Sequence, residues 1–127
     1  MEINALSNVI IGCAIRVHRT LGPGLLESIY NTCLQVELQK AGLSFESQVP
    51  VAVQYHGVEF QNALRLDLLV ENLVIVELKC VEKVLPVHKS QLLSYLRLKD
   101  KRLGLLINFH VKRLADGIKR VVNNLPE

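Results

Sequence analysis

Apolar and polar residues alternate along this chain in three rhythms, and each predicts a type of element. At the start, Ile3, Leu6, Ile10, Cys13 and Val17 recur at steps of three and four. That spacing gathers side chains on one face of a helix, so a helix is expected over roughly residues 3–18. Leu21-Gly22-Pro23-Gly24 breaks it. A second helix is expected over about 24–41, with apolar Leu26, Ile29, Tyr30, Cys33, Leu34 and Leu38, and with Gly42 where a C-terminal cap belongs. The rhythm then shortens to two. Val49, Val51, Val53 and Tyr55 alternate with other residues, which predicts a strand despite Pro50. His56-Gly57 reads as a turn. Strands are expected over about 58–70, with a break near Asn62, and over 74–80. Pro86 suits the first turn of a helix running to about Leu98. The third rhythm is unbroken: Leu103-Gly104-Leu105-Leu106-Ile107 is apolar throughout, as in a strand buried on both faces. Residues 111–122 admit a hairpin turn at Asp116-Gly117 or a short helix over 115–122; extended structure is preferred.

The order is helix, helix, three strands in meander, helix, strand. A right-handed crossover returns the last strand parallel to the third. The expected fold is therefore α/β, one domain over 1–127, with a mixed central sheet flanked by helices.

Two of the apolar strands break their own pattern. Leu64-Arg65-Leu66-Asp67-Leu68-Leu69-Val70 and Val74-Ile75-Val76-Glu77-Leu78-Lys79 carry charges where a buried strand carries none. Burying an unpartnered charge costs several kcal/mol or more. A divalent metal held by Asp67 and Glu77, with Lys79 beside it, accounts for all three. Alternation puts Glu77 and Lys79 on one face. Asp67 joins them only in one register class. A two-residue turn at Glu71-Asn72 sets Asp67 opposite Val76. A three-residue loop, Glu71 to Leu73, sets it opposite Glu77, where one hard cation can bridge both carboxylates. The competing reading is a structural cluster in which Lys79 or Arg65 neutralises the acids at a sheet edge.

Composition narrows the class. Half of the 127 residues are hydrophobic and mean hydropathy is +0.26, which excludes a disordered chain. Cys13, Cys33 and Cys80 match neither a zinc pattern nor a disulfide framework, so a reducing, cytoplasmic setting is expected. No signal peptide or membrane span is expected. Residues 1–78 hold four Lys/Arg and eight Asp/Glu, whereas 79–127 hold eleven and four. A basic half beside a carboxylate cluster suits a polyanion drawn toward a metal. Lys83, Lys89, Lys99, Lys101 and Arg102 are the candidate nucleic-acid contacts. A soluble basic surface without a partner is the plain alternative.

Other residues can carry chemistry. Glu27 opens the second helix, where the helix dipole alone favours a carboxylate. Gln91 and Tyr95 form an i, i+4 pair with His88 one turn earlier. On residues alone that stripe reads as solvent-facing, with Leu92, Leu93 and Leu96 opposite. His18 is a further candidate, with a structural role as its plain reading.

In order, the chain reads G-x-x-E-x-x-Y at Gly24 to Tyr30, then Asp67 with Val76-Glu77-Leu78-Lys79, then Q-x-x-x-Y at Gln91 to Tyr95, followed by Gly104-Leu105-Leu106-Ile107-Asn108-Phe109. These motifs resemble the GxxExxY protein family, a compact branch of the PD-(D/E)XK nuclease superfamily, from about His18 to Val122. Leu66 stands where the superfamily's name has proline. The resemblance implies a restriction-endonuclease-like αβββαβ core. It implies that Asp67, Glu77 and the Leu78 carbonyl bind Mg²⁺, with Mn²⁺ as substitute and Glu27 as a further candidate ligand. It implies that Lys79 orients or activates water and that Gln91 and Tyr95 border the site. The implied function is a Mg²⁺-dependent nuclease hydrolysing phosphodiester bonds of DNA or RNA. The alternative is a catalytically silent nuclease-like module that binds nucleic acid or a partner protein. A homodimer built on the apolar first helix is a third reading.

Overall fold

The structure, a computed structural model, describes residues 1–126. The elements are α1 (Ile3–Leu21), α2 (Glu27–Lys40), β1 (Phe45–Tyr55), β2 (Val58–Val70), β3 (Val74–Lys79), α3 (Pro86–Lys99), β4 (Leu103–Asn108) and β5 (Ile118–Val122), with a 3₁₀ turn at Leu114–Gly117 before β5. The strands form one sheet in the order β1-β2-β3-β4-β5. β3 and β4 are parallel, and the other neighbours are antiparallel. This is the expected αβββαβ core, extended by β5. The ambiguous tail becomes a 3₁₀ turn and a strand, with neither a hairpin turn at Asp116-Gly117 nor a helix over 115–122. Among the described residues no helix is long and apolar enough to cross a membrane.

The two faces of the sheet have different covers. Leu6, Ile10, Cys13, Ala14 and Val17 of α1, with Tyr30, Leu34 and Leu38 of α2, pack on Leu68, Val70, Val74, Val76, Leu78, Leu103, Leu105 and Ile107. Each Leu, Ile or Val among them contributes about 1.5–3 kcal/mol when fully buried. The apolar stripe of α1 therefore packs inside the molecule. On the other face, Leu92, Tyr95 and Leu96 of α3 pack on Val49, Val51, Leu66, Leu69, Ile75 and Leu106.

Leu66 and Leu68 belong to opposite faces, although strict alternation would put residues two apart on the same one. The strand rolls over at Asp67. Gln48, lying between the pairs Ser47↔Leu68 and Val49↔Leu66, takes φ +52. The expected break near Asn62 is also present. The register shifts between Val51 and Val53, and Asn62 takes φ +55, the mark of a bulge.

Candidate active site

The β2–β3 loop has three residues, Glu71 to Leu73, and sets Val70 opposite Val74. The ladder stops at Leu68↔Val76. One step further, side chains replace it. The Asp67 N–H donates to Glu77 Oε2 at 2.7 Å, and the Leu78 N–H donates to Asp67 Oδ2 at 2.8 Å. Each carboxylate thus grips the other strand's backbone, and the two acids meet where the strands diverge. Ile75 packs under α3, so alternation puts Glu77 and Lys79 on that side as well.

Burial sets the electrostatics. Glu77 is buried, and desolvation together with the Asp67 charge pushes its carboxyl up to about 8. Burial also raises Asp67, against the pull of the Leu78 N–H and the Lys79 ammonium. Glu27 is accessible as a residue, yet enough protein surrounds its carboxyl to raise its pKa, with the Asp67 charge adding and Lys79 opposing. Asp67 and Lys79 thus act on both Glu27 and Glu77. Tyr95 is raised by burial and then by the Glu77 and Asp67 charges, with the Gln91 side chain opposing, so the Tyr95 hydroxyl lies within the field of the two acids. Tyr95 is 5% exposed and packs with Leu92 and Leu96, correcting the solvent-facing reading. Gln91 is exposed, and His88 Nδ1 accepts from the Leu85 N–H as part of the α3 cap.

Glu27 owes its position to the loop before it. α2 begins at Glu27 and not at Gly24, because Gly22 and Gly24 take φ +70 and +102, outside the helical region and accessible mainly to glycine. The Tyr30 hydroxyl donates to the Gly22 carbonyl at 2.5 Å and accepts from the Leu25 N–H at 3.1 Å. Its ring stacks on Phe109 with centroids 4.5 Å apart. The glycine and tyrosine of G-x-x-E-x-x-Y thus shape the turn that presents its glutamate. His18 is buried, with Nε2 2.8 Å from the Val111 carbonyl oxygen, and serves the structure rather than the site.

Asn108 escaped the sequence reading. It is buried at the end of β4, opposite Lys79. Its Oδ1 accepts from the Val81 and His110 N–H groups, each at 3.1 Å, and its Nδ2 donates to the Val81 carbonyl at 2.7 Å. These bonds pin the segment leaving Lys79. Its signal was available: a polar residue closing an apolar run, the anomaly that marks Glu77. Gly117 lies so close to the Asn108 carbonyl that a Cβ would collide with it. Asn108→Ala is expected to lower stability by about 2–3 kcal/mol, since buried backbone groups lose their partners. An unfolding free energy lowered by less than about 0.5 kcal/mol in denaturant titration would show that water replaces the amide.

The candidate basic residues divide between two ends. α3 starts where β3 ends and leads back to β4, which is parallel to β3. Lys83 and Lys89 therefore lie at the carboxylate end. Lys99, Lys101 and Arg102 lie at the other, where Lys101 donates to Asn72 at 3.1 Å and Arg102 pairs with Asp100 at 3.0 Å. Arg19, from the acidic half of the sequence, joins Lys112 and Arg113 in lining a cleft of about 400 Å³ where the chain leaves β4. Another cleft, about 420 Å³ and lined by Arg16, Val36 and Lys40 among others, lies between α1 and α2 and contains none of the site acids.

The donor set fits a hard divalent cation with an open shell. Two carboxylates meet in a buried place where like charges repel, and a cation would relieve both. Among the described residues no three His, Cys, Asp or Glu side chains converge to enclose a metal. Mg²⁺ needs no such cage, because it is commonly held by one or two carboxylates and completed by water and phosphate oxygens.

No curated protein and no solved structure matches the chain. A family model does: that of the PD-(D/E)XK nuclease superfamily matches residues 4–121, an interval containing every site residue described above. Paired acids on adjacent strands followed by a lysine two positions on, in this sheet and over this length, place the chain in the PD-(D/E)XK nuclease superfamily.

Proposed function

We propose that the protein is a Mg²⁺-dependent nuclease of the GxxExxY branch, hydrolysing phosphodiester bonds of DNA or RNA. The observation that carries this reading is the reciprocal clasp of Asp67 and Glu77, which sets a half-buried and a buried acid together beside Lys79. Asp67, Glu77 and the Leu78 carbonyl would hold the metal. In an extended residue the N–H and C=O lie on the same edge, and the Leu78 N–H already points at Asp67, so its carbonyl faces the same gap. When bound, the metal supplies a nucleophilic water near neutral pH and relieves charge on the phosphate.

The chain's own groups do the rest. Lys79 puts positive charge where the transition state gains negative charge and orients the attacking water. Glu27 completes the acidic rim and is a further ligand candidate. Gln91 and Tyr95 wall the α3 side, where burial raises the pKa of the Tyr95 hydroxyl. Superfamily membership supports nucleic acid as partner and a divalent metal as cofactor. The deciding experiment incubates the purified protein with plasmid, single-stranded DNA and RNA, with and without Mg²⁺ or Mn²⁺. Metal-dependent cleavage is expected, and binding without cleavage under every condition would leave the catalytically silent module.

Phosphate contacts release counterions, so log affinity should fall with log salt by about 0.9 per contact on duplex and ~0.7 on a single strand. Of the five candidates, Lys83 and Lys89 lie at the site end. Neutralising each is expected to reduce the slope by about one contact's worth, with smaller changes for Lys99, Lys101 and Arg102. Equal changes at both ends would show that the strand also crosses the far end.

A further inference from the structure

β1 and β2 run on past the carboxylates as a two-stranded arm closed by the His56-Gly57 turn. Counted from Gln48 at the level of Asp67, the arm reaches Val53 after ~17 Å and Tyr55 after ~24 Å at the usual strand rise. Its inner half is covered, since Val49, Val51 and Leu66 pack under α3. Its outer half is bare. The register pairs Val53 with Phe60 and Tyr55 with Val58, and opposed residues share a face. The four side chains form one apolar patch in which Tyr55 is 67%, Val58 54% and Phe60 51% exposed. Gln54 and Glu59 take the reverse face. Alternation along β1 puts the patch on the side of Val51, which is the side of Glu77 and Lys79.

We propose that this patch is a stacking platform for unpaired bases, and that the site acts on single-stranded nucleic acid laid along the arm toward the carboxylates. The proposal rests on the nuclease reading above. Two of the chain's six aromatic residues stand exposed here. An aromatic ring accepts any base, because every base has a π face. A duplex hides those faces and would present phosphates to a patch that holds no cation. A second copy is the other occupant of an apolar face. A standard interface needs about 800 Å² per partner, which is more than four side chains expose.

The test uses the full chain carrying Glu77→Gln, so that the strand stays uncut. Fluorescence anisotropy compares a short labelled oligothymidine with a blunt duplex of equal length. Tyr55→Leu with Phe60→Leu keeps the apolar area and removes the rings. It is expected to weaken single-strand binding about tenfold or more and to leave duplex binding within about twofold. Tyr55→Trp with Phe60→Trp is expected to retain both. Leucine variants that bind the single strand like their parent, or that lose both ligands equally, overturn the platform. So does a parent that sediments as a dimer which the leucine variants dissolve. Intact metal-dependent cleavage by the Glu77 protein with unchanged single-strand affinity in the leucine variants defeats the platform alone. Absence of both binding and cleavage defeats the nuclease reading with it.

Discussion

Glu77→Gln is expected to abolish metal-dependent cleavage and, in metal-free buffer above pH 8, to make the protein more stable than its parent. Both effects come from one cause. Folding raises the Glu77 pKa from 4.5 to about 8 through burial and the neighbouring Asp67 charge, so between those values the folded state binds more proton than the unfolded state. The contribution is fully present below about pH 4.5 and is lost as pH rises through about 8. The parent's metal-free melting temperature should fall across that window, and the glutamine variant's should fall less. Above it the variant gains about 1–3 kcal/mol, because each pKa unit is worth ~1.4 kcal/mol and part is recovered by relaxation. Thermal melts at several pH values check the first effect, and a nuclease assay checks the second. A variant less stable than its parent at every pH would show that the clasp's hydrogen bonds outweigh the repulsion.

Lys79→Ala carries the second large effect. The lysine faces the acids from the same strand and opposes the rise of the Glu27, Asp67 and Glu77 carboxyls. Loss of a group that meets developing charge lowers kcat by about 10²–10³-fold, while the carboxylates that bind the metal remain. Turnover should therefore collapse with Mn²⁺ affinity changed little. Unfolding, or loss of metal with residual rate preserved, would make Lys79 a structural counter-charge.

The elements were legible because their periods were clean. Steps of three and four in α1, alternation in β1 and the unbroken run of β4 each had a single physical solution. The site acids were legible for the opposite reason, as charges that a buried strand does not tolerate, and the three-residue loop joined them. Other features depend on long-range packing that no local pattern carries. Tyr95 looked polar beside Gln91, but its ring fills the core under α3. Asn108 works through backbone groups of Val81 and His110, invisible in spacing. The roll of β2 at Asp67 depends on Gln48 in another strand. The division of charge along the chain also failed to survive folding, since Arg19 joins Lys112 and Arg113 while Lys101 and Arg102 turn to the far end.

Joint binding of a divalent cation by Asp67 and Glu77 is tested directly by calorimetric titration of Mn²⁺ into the parent, Asp67→Asn and Glu77→Gln at pH 7 and above pH 8. The parent should bind with affinity that rises with pH, as the metal displaces the proton that burial holds on Glu77, and both variants should lose that binding. Unchanged Mn²⁺ affinity in both variants would contradict the account.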